Sequence, residues 1–221
     1  MANNKFCFLD EIRPVLIQSK GLIIEFTVLK GERIEFKRNG KLGFCVLLRG
    51  HCALERRVRK FNHTLQILGP GDISGFGSWW DLSDAKYDSL VALSTGRLGF
   101  ISEDSFRDLQ EVVPNLSEMM LKLLCQSIKL KDLRISALES FSVRSRVSSL
   151  LISLSKKFGV SKPHGVLIDV VIGRDRLALL SATSVESFSR ALSEFREDGI
   201  IQKSGRKIFI CDQKGLERLV E

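Results

Sequence analysis

From Asn115 to about Glu139 the chain runs through an uninterrupted helix-compatible stretch, and its length constrains the fold more than any other feature. Pro114 stands at the start of that stretch, where its ring is tolerated because the first helical amides have no partner anyway. Leu116, Met120, Leu123, Leu130 and Ala137 fall on a heptad-like seam, interrupted by Ser127 and Arg134 at the matching positions. A helix of this length is ~37 Å long at 1.5 Å per residue, more than a compact domain of this size needs. The spacing therefore predicts a helix that bridges domains or pairs with its twin, with core packing as the competing account. Under the preferred account Leu116, Met120, Leu123 and Leu130 form a dimer seam.

Ahead of this helix the pattern belongs to strands. Gly21 to Phe36 is rich in Ile, Val, Phe and Leu around a turn at Lys30-Gly31-Glu32. Phe44 to Leu48 is an apolar run stopped by Arg49-Gly50. Cys52 to Val58 and Thr64 to Leu68 follow, the latter closed by Gly69-Pro70-Gly71-Asp72. A last pair, Ser89–Leu93 and Arg97–Ile101, flanks a turn at Ser94-Thr95-Gly96. Short runs at such spacing, punctuated by glycine, predict an antiparallel sandwich or small barrel. The class expected for the whole chain is α+β.

Behind the long helix, a second amphipathic segment from Ser142 to Phe158 ends at Gly159, well placed as a C-cap. Ser161 to Gly165 reads as a loop and Val166 to Ile172 as a strand. A helix from Arg174 to Leu180, a turn at Ser181-Ala182-Thr183 and a helix from Ser184 to Glu197 come next. Ile200–Ser204 and Lys207–Cys211, joined at Gly205-Arg206, complete a hairpin. Helix, turn, helix and hairpin in that order predict a winged helix-turn-helix.

Composition narrows the partner. The 221 residues carry 34 Lys+Arg against 26 Asp+Glu, a net charge of +8, which favours a polyanion, nucleic acid ahead of an anionic membrane surface. At 44% hydrophobic and 27% charged residues the chain lies far from the disordered range. No run approaches ~18 apolar residues, and Phe6-Cys7-Phe8-Leu9 is too short for a signal peptide, so an intracellular, cytoplasmic protein is expected. The five cysteines Cys7, Cys45, Cys52, Cys125 and Cys211 are odd in number and scattered, without the spacing of a zinc site or disulfide framework.

The most informative stretch is Thr183-Ser184-Val185-Glu186-Ser187-Phe188-Ser189-Arg190. Ser184 suits a helix N-cap. Val185, Phe188 and Leu192 are expected to face inward, leaving Glu186, Ser189, Arg190 and Ser193 on another face. Arg can donate two bonds to guanine, Glu can accept from cytosine N4, and Ser can do either, which is what a major-groove reader needs on its first turns. The competing account is a solvated face with an ordinary charge pair. Inside a helix-turn-helix on a basic chain, base reading is preferred.

The run from Arg174 to Cys211 resembles the DNA-binding domain of the CRP/FNR transcription regulators, and the resemblance extends back over nearly the whole chain. It implies a cyclic-nucleotide-binding-like β-roll over residues 1–113, a dimerisation helix over 114–139 and a winged helix-turn-helix over 140–221. Glu186-Ser187-Phe188-Ser189-Arg190 fits the E-x-x-S-R pattern of the FNR branch, which reads TTGAT-type half-sites. The resemblance makes Glu186, Ser189 and Arg190 the base-reading set, with Thr183, Ser184 and Ser187 as phosphate or supporting contacts. Arg206 and Lys207 at the wing suit phosphate positioning, as do Lys203, Arg174 and Arg176. Double-stranded DNA, a second copy of the chain and RNA polymerase are the implied partners.

The sensor half departs from the family's pattern. Gly71-Asp72-Ile73-Ser74-Gly75-Phe76 keeps the glycines but puts Phe76 where cyclic-nucleotide binders carry an acid. The Arg-Ser pair that holds the cyclic phosphate falls at Tyr87-Asp88, and Lys131 and Asp132 replace hydroxyl residues on the long helix. No response to cyclic AMP is expected. Cys7 alone cannot hold an FNR-type cluster, and His51, His63 and His164 offer little for haem, so no cofactor is expected. Cys45 and Cys52 flank one turn and leave thiol oxidation open against buried, reduced cysteines. Phe76, Trp79, Trp80 and Tyr87 either line a pocket for a small apolar effector or fill a cassette that has lost its ligand. Filling is preferred, and it implies a regulator active without ligand.

Other classes fare worse. There is no GxSxG, P-loop or HExxH motif, and three scattered histidines leave little for general base work, so an enzyme is not expected. Basic residues spread through both halves, with no basic amphipathic terminal helix, argue against a membrane role. A non-enzymatic protein-interaction module is the remaining alternative.

Overall fold

The computed structural model describes residues 21–79, 88–140 and 142–220. Trp80 and Tyr87 fall outside the described residues, as do the side chains of Trp79 and Leu130. Packing divides the chain into two units after Ser127.

The first unit is two antiparallel sheets with helices on one of them. One sheet runs in the order β1 (Ile24–Val28), β9 (Gly96–Ser102), β4 (Lys41–Arg49), β3 (Lys37–Arg38), with β7 (Ile73–Ser74) also on β4. The other runs β2 (Arg33–Ile34), β8 (Asp88–Ala92), β5 (Cys52–Val58), β6 (Phe61–Leu68). Val28, Leu47, Leu98 and Phe100 from the first meet Ile34, Leu68, Leu90 and Ala92 from the second in one buried cluster. The alternation of each strand predicts this inward face.

The chain changes sheet at its corners. The sequence pairs Ser89–Leu93 with Arg97–Ile101 across the Ser94–Gly96 turn, but β8 and β9 lie in different sheets and pair elsewhere, β8 on β5 and β9 on β4. The β4–β5 junction at Gly50 does the same, and the two corners touch. A Cβ on Gly96 would lie 2.2 Å from the Arg49 carbonyl oxygen, and one on Gly50, where φ is +89°, 2.9 Å from that of Thr95. Only glycine permits this approach of backbone to backbone.

The outer face of the first sheet is covered by α2 (Glu103–Val112) and the start of α3 (Leu116–Ser140), after a short α1 (Phe76–Trp79). Ser102 caps α2 by accepting from the Ser105 N–H. Phe44, Val46 and Ile101 pack there against Phe106, Leu109, Leu116, Met119 and Met120. This overturns part of the expected seam. Leu116 and Met120 are buried in their own chain and Leu123 packs on the same cluster, because the helix start lies on the sheet. A different stripe of α3 is left outside: Leu121, Ile128 and Ile135, seven residues apart, are 61%, 56% and 54% exposed.

The second unit is built on α4 (Val143–Phe158), whose N-cap Ser142 accepts from the Ser145 N–H. A sheet in the order β10 (Gly159–Lys162), β11 (Gly165–Ile168), β13 (Lys207–Ile210), β12 (Ile201–Ser204) follows it. Gly159 is extended, with φ −74°, and opens β10 rather than forming a left-handed cap. Ser161 and Lys162, expected in a loop, therefore belong to a strand, and β11 stops at Ile168 instead of reaching Ile172. Helices α5 (Arg174–Leu180), α6 (Val185–Glu197) and α7 (Gln213–Arg218) complete the unit. The Ser148 hydroxyl donates to the Leu216 carbonyl at 2.6 Å, tying α4 to α7.

Candidate nucleic-acid interface

Two helices and the turn between them position the candidate reading face. The Ser181 hydroxyl donates to the Leu177 carbonyl at 2.9 Å, and Ala182 takes a left-handed conformation with φ +47°. Ser184 then caps α6 by accepting from the Ser187 N–H at 3.1 Å. Thr183 Oγ1 lies 3.3 Å from Ser181 Oγ. Thr183, Ser184 and Ser187 are thus occupied in building the turn and the cap.

The helix is held from behind by Phe188, Ala191, Leu192 and Phe195, all buried. Val185, expected in this set, is 41% exposed. It shares the face of Phe188 and Leu192 but lies one turn ahead of the first and two ahead of the second, at the open end of the helix.

Two arginines that the sequence reading passed over lock the arrangement. Arg146 donates to the carbonyls of Ser181 (3.1 Å) and Ala182 (3.3 Å), closing the turn against α4. Arg144 bridges Glu194 at 2.7 Å and Asp198 at 3.0 Å, with its guanidinium 5.5 Å from the Phe195 ring centroid. A signal existed: two cations in the first turn of a helix oppose its dipole and need partners elsewhere.

Glu186 and Arg190 are exposed and Ser189 is half-buried. Hydrogen bonding from its own backbone N–H, then from the Ser184 hydroxyl, holds the Glu186 carboxyl below the usual glutamate range. Arg174 Nη1 reaches Ser189 Oγ at 3.5 Å. Arg190 has no ion pair among the described residues. At the wing Arg206 is exposed, whereas Lys207 is half-buried and paired with Asp169.

Of the candidate effector residues only the Phe76 side chain lies among the described ones. Phe76 packs on the Phe44 ring at 4.9 Å, in the cluster under the helices. The Phe36 ring lies against Gly75, where a Cβ would meet it at 2.4 Å. Asp88 accepts two bonds from Arg56, at 2.7 and 3.0 Å. Burial pushes the Cys45 thiol up to about 12 and the Cys52 thiol up to about 11. Neither is a thiolate at neutral pH, which removes the nucleophile that oxidation needs. Among the described residues no group of three metal-ligating side chains occurs, and no helix is long and apolar enough to cross a membrane.

Residues 145–219 match the model of the Crp-like helix-turn-helix domain. The chain is 24% identical over 174 residues to the CRP-like cAMP-activated global transcriptional regulator of Mycobacterium tuberculosis, covering 78% of this chain and 77% of that protein. It is 27% identical over 151 residues to an anaerobic regulatory protein of Haemophilus influenzae, covering 68% and 58%. Residues 145–219 are thus a Crp-like helix-turn-helix domain, and the chain is similar over most of its length to transcription regulators of the CRP/FNR family. It shares its fold with a CooA mutant from Carboxydothermus hydrogenoformans, with a TM-score of 0.78, 17% identity and coverage of 98% and 97%. It also superposes on TTHA1359, a CRP/FNR-family regulator from Thermus thermophilus, with a TM-score of 0.72, 20% identity and coverage of 89% and 98%.

Proposed function

We propose that the regulator binds duplex DNA as a homodimer, reading TTGAT-like half-sites with Glu186, Ser189 and Arg190, and that it needs no cyclic nucleotide to do so. The observation that carries this is the outer face of α6. A helix capped by Ser184 and held by Arg144 and Arg146 presents a carboxylate, a hydroxyl and a guanidinium that has no ion pair among the described residues. Arg190 suits guanine O6 and N7, and Glu186 suits cytosine N4. The exposed Val185 beside them suits contact with a thymine methyl. Thr183, Ser184, Ser187, Arg206 and Lys207 lie where phosphate contacts would set the register.

A second copy is the occupant we assign to the outer stripe of α3. Leu121, Ile128 and Ile135 repeat every seven residues, the spacing that keeps one seam facing a partner helix. Two copies related by a two-fold axis place their reading helices on half-sites about 34–36 Å apart. Leu121→Lys with Ile128→Lys should yield monomers by sedimentation, while the earlier candidate Leu123→Lys should lower stability instead.

The inward pairing of Asp88 with Arg56, and of Phe36 with Gly75, supports a cassette filled by its own side chains. Contact with RNA polymerase follows the family's mode of action. The decisive experiment is anisotropy of the ligand-free protein on a duplex with inverted TTGAT half-sites beside a scrambled one, across a salt series. Selective binding to the first is expected; equal, salt-sensitive binding to both would sink the proposal.

A further inference from the structure

A cleft in the second unit includes none of the three base-reading residues in its lining. It opens between the wing, the segment from Val170 to Gly173 and the inner side of α6, and encloses about 310 Å³. This is the lower end of the range for small-molecule sites, about 300–1,000 Å³. Leu154, Ile168, Leu192 and Ile201 make an apolar floor, all of them buried. Arg174, Lys203, Arg206 and Lys207 stand around the mouth.

The rim is neutralised only in part. Asp169 engages Lys207, and Arg196 donates to the Leu192 carbonyl and to Ser193 Oγ. Lys203 and Arg206 have no ion pair among the described residues. An apolar floor under unpaired cations is complementary to one kind of ligand, a short hydrocarbon or ring carrying a single anionic head. A neutral apolar molecule would leave the cations without a partner, and a bare inorganic anion would leave the floor wet.

We propose that this cleft is a regulatory site for a small amphipathic carboxylate, whose head group sits between Lys203 and Arg206 with its tail on Ile201 and Ile208. The regulatory half rests on the DNA reading above: a carboxylate there occupies the cations that would meet the DNA backbone, so ligand and duplex exclude each other. By linkage each lowers the affinity of the other by the same factor.

The test uses the full chain and octanoate, with 1-octanol as the uncharged control. Methyl NMR should show saturable shifts at Ile201 and Ile208 with octanoate, and none at the exposed Ile24 and Ile128. Octanol should produce much smaller shifts, and Ile208→Ala should weaken octanoate several-fold with the fold unchanged. Saturating octanoate should weaken duplex binding about tenfold, within the usual range of coupling. Equal shifts with octanol, or shifts spread over Ile24 and Ile128, would overturn the site. Octanoate binding with unchanged duplex affinity would overturn its regulatory role. Saturable shifts in a protein that shows no duplex preference would instead break the operator reading and leave the cleft standing.

Discussion

The sheet β2-β8-β5-β6 and the outer face of α6 both carry charged side chains, and they use them in opposite ways. In the sheet, Arg33 donates to the buried Glu55 at 2.9 Å and also to Ser89, while Arg56 grips Asp88 with two bonds. On α6 and the wing, Arg190, Lys203 and Arg206 have no such partner among the described residues. A cation whose field is cancelled by a neighbouring carboxylate has little left for a phosphate, whereas an unpaired one keeps its attraction and releases counterions on binding. Charge alone therefore does not mark a nucleotide site. The contrast holds between these particular cations, since Arg57, Arg59 and Lys60 at the open end of β5 and β6 also have no ion pair among the described residues.

The largest effect should come from unpairing the sheet. Arg33→Ala removes the ion pair to the buried Glu55 and should lower stability by about 2–4 kcal/mol, somewhat less than for a fully buried pair because Arg33 is half exposed. Thermal unfolding would show it, and duplex selectivity of the folded protein should be unchanged. Arg146→Ala should cost about 1.5–3 kcal/mol, the worth of charge-assisted bonds to two carbonyls. Because those bonds hold the turn, it should weaken specific binding as well as stability, whereas Arg146→Lys should recover only part. If binding survives intact, the arginine does not position α6.

Next in size, Arg190→Ala should cost about 1–3 kcal/mol of discrimination at one base pair while leaving thermal unfolding unaltered. Equal loss on scrambled DNA would reduce Arg190 to a phosphate contact. Arg206→Ala should leave selectivity alone and lower the salt slope by about 1. A lost preference between duplexes would place Arg206 on a base instead.

Smallest are the protonation effects. The Glu186 carboxyl is held below its unfolded range, so its contribution is present above that range and fades as pH falls through the folded value. Glu186→Gln should abolish that acid-side fading in a stability–pH profile. Cys45 and Cys52 go the other way: their thiols are raised, so their contribution is complete below about 9 and is lost as pH climbs toward about 11 to 12. Iodoacetamide near neutral pH should modify the exposed Cys125 and spare both. Rapid labelling of Cys45 would reopen thiol sensing.

Much of the α6 helix that carries the candidate site is legible in the sequence because its determinants are local. A serine cap, a glutamate on the first turn and an apolar repeat specify α6 from within thirteen residues, and only Val185 was misplaced. Arg144 and Arg146 escaped notice because their partners lie 35 to 54 residues away. The wing hairpin was legible for the same local reason, with Gly205 at φ +60° between its strands. The cleft was not, since its walls come from α4, β11, α5, α6 and the wing together.

What the sequence by itself determined is the succession of elements: short strands, one long helix, then helix, turn, helix and hairpin. Propensity, capping and turn chemistry act over a few residues and need no knowledge of the rest. Tertiary structure alone decided which face each element buries. The heptad spacing on α3 admits several seams, and the sheet under Leu116 and Met120 takes one of them, leaving Leu121, Ile128 and Ile135 for solvent or a partner. It likewise sent β8 and β9 to different sheets, where backbone packing at Gly50 and Gly96 outweighs the short turn between them. Burial is a property of what lies opposite, and no residue carries that in its own spacing.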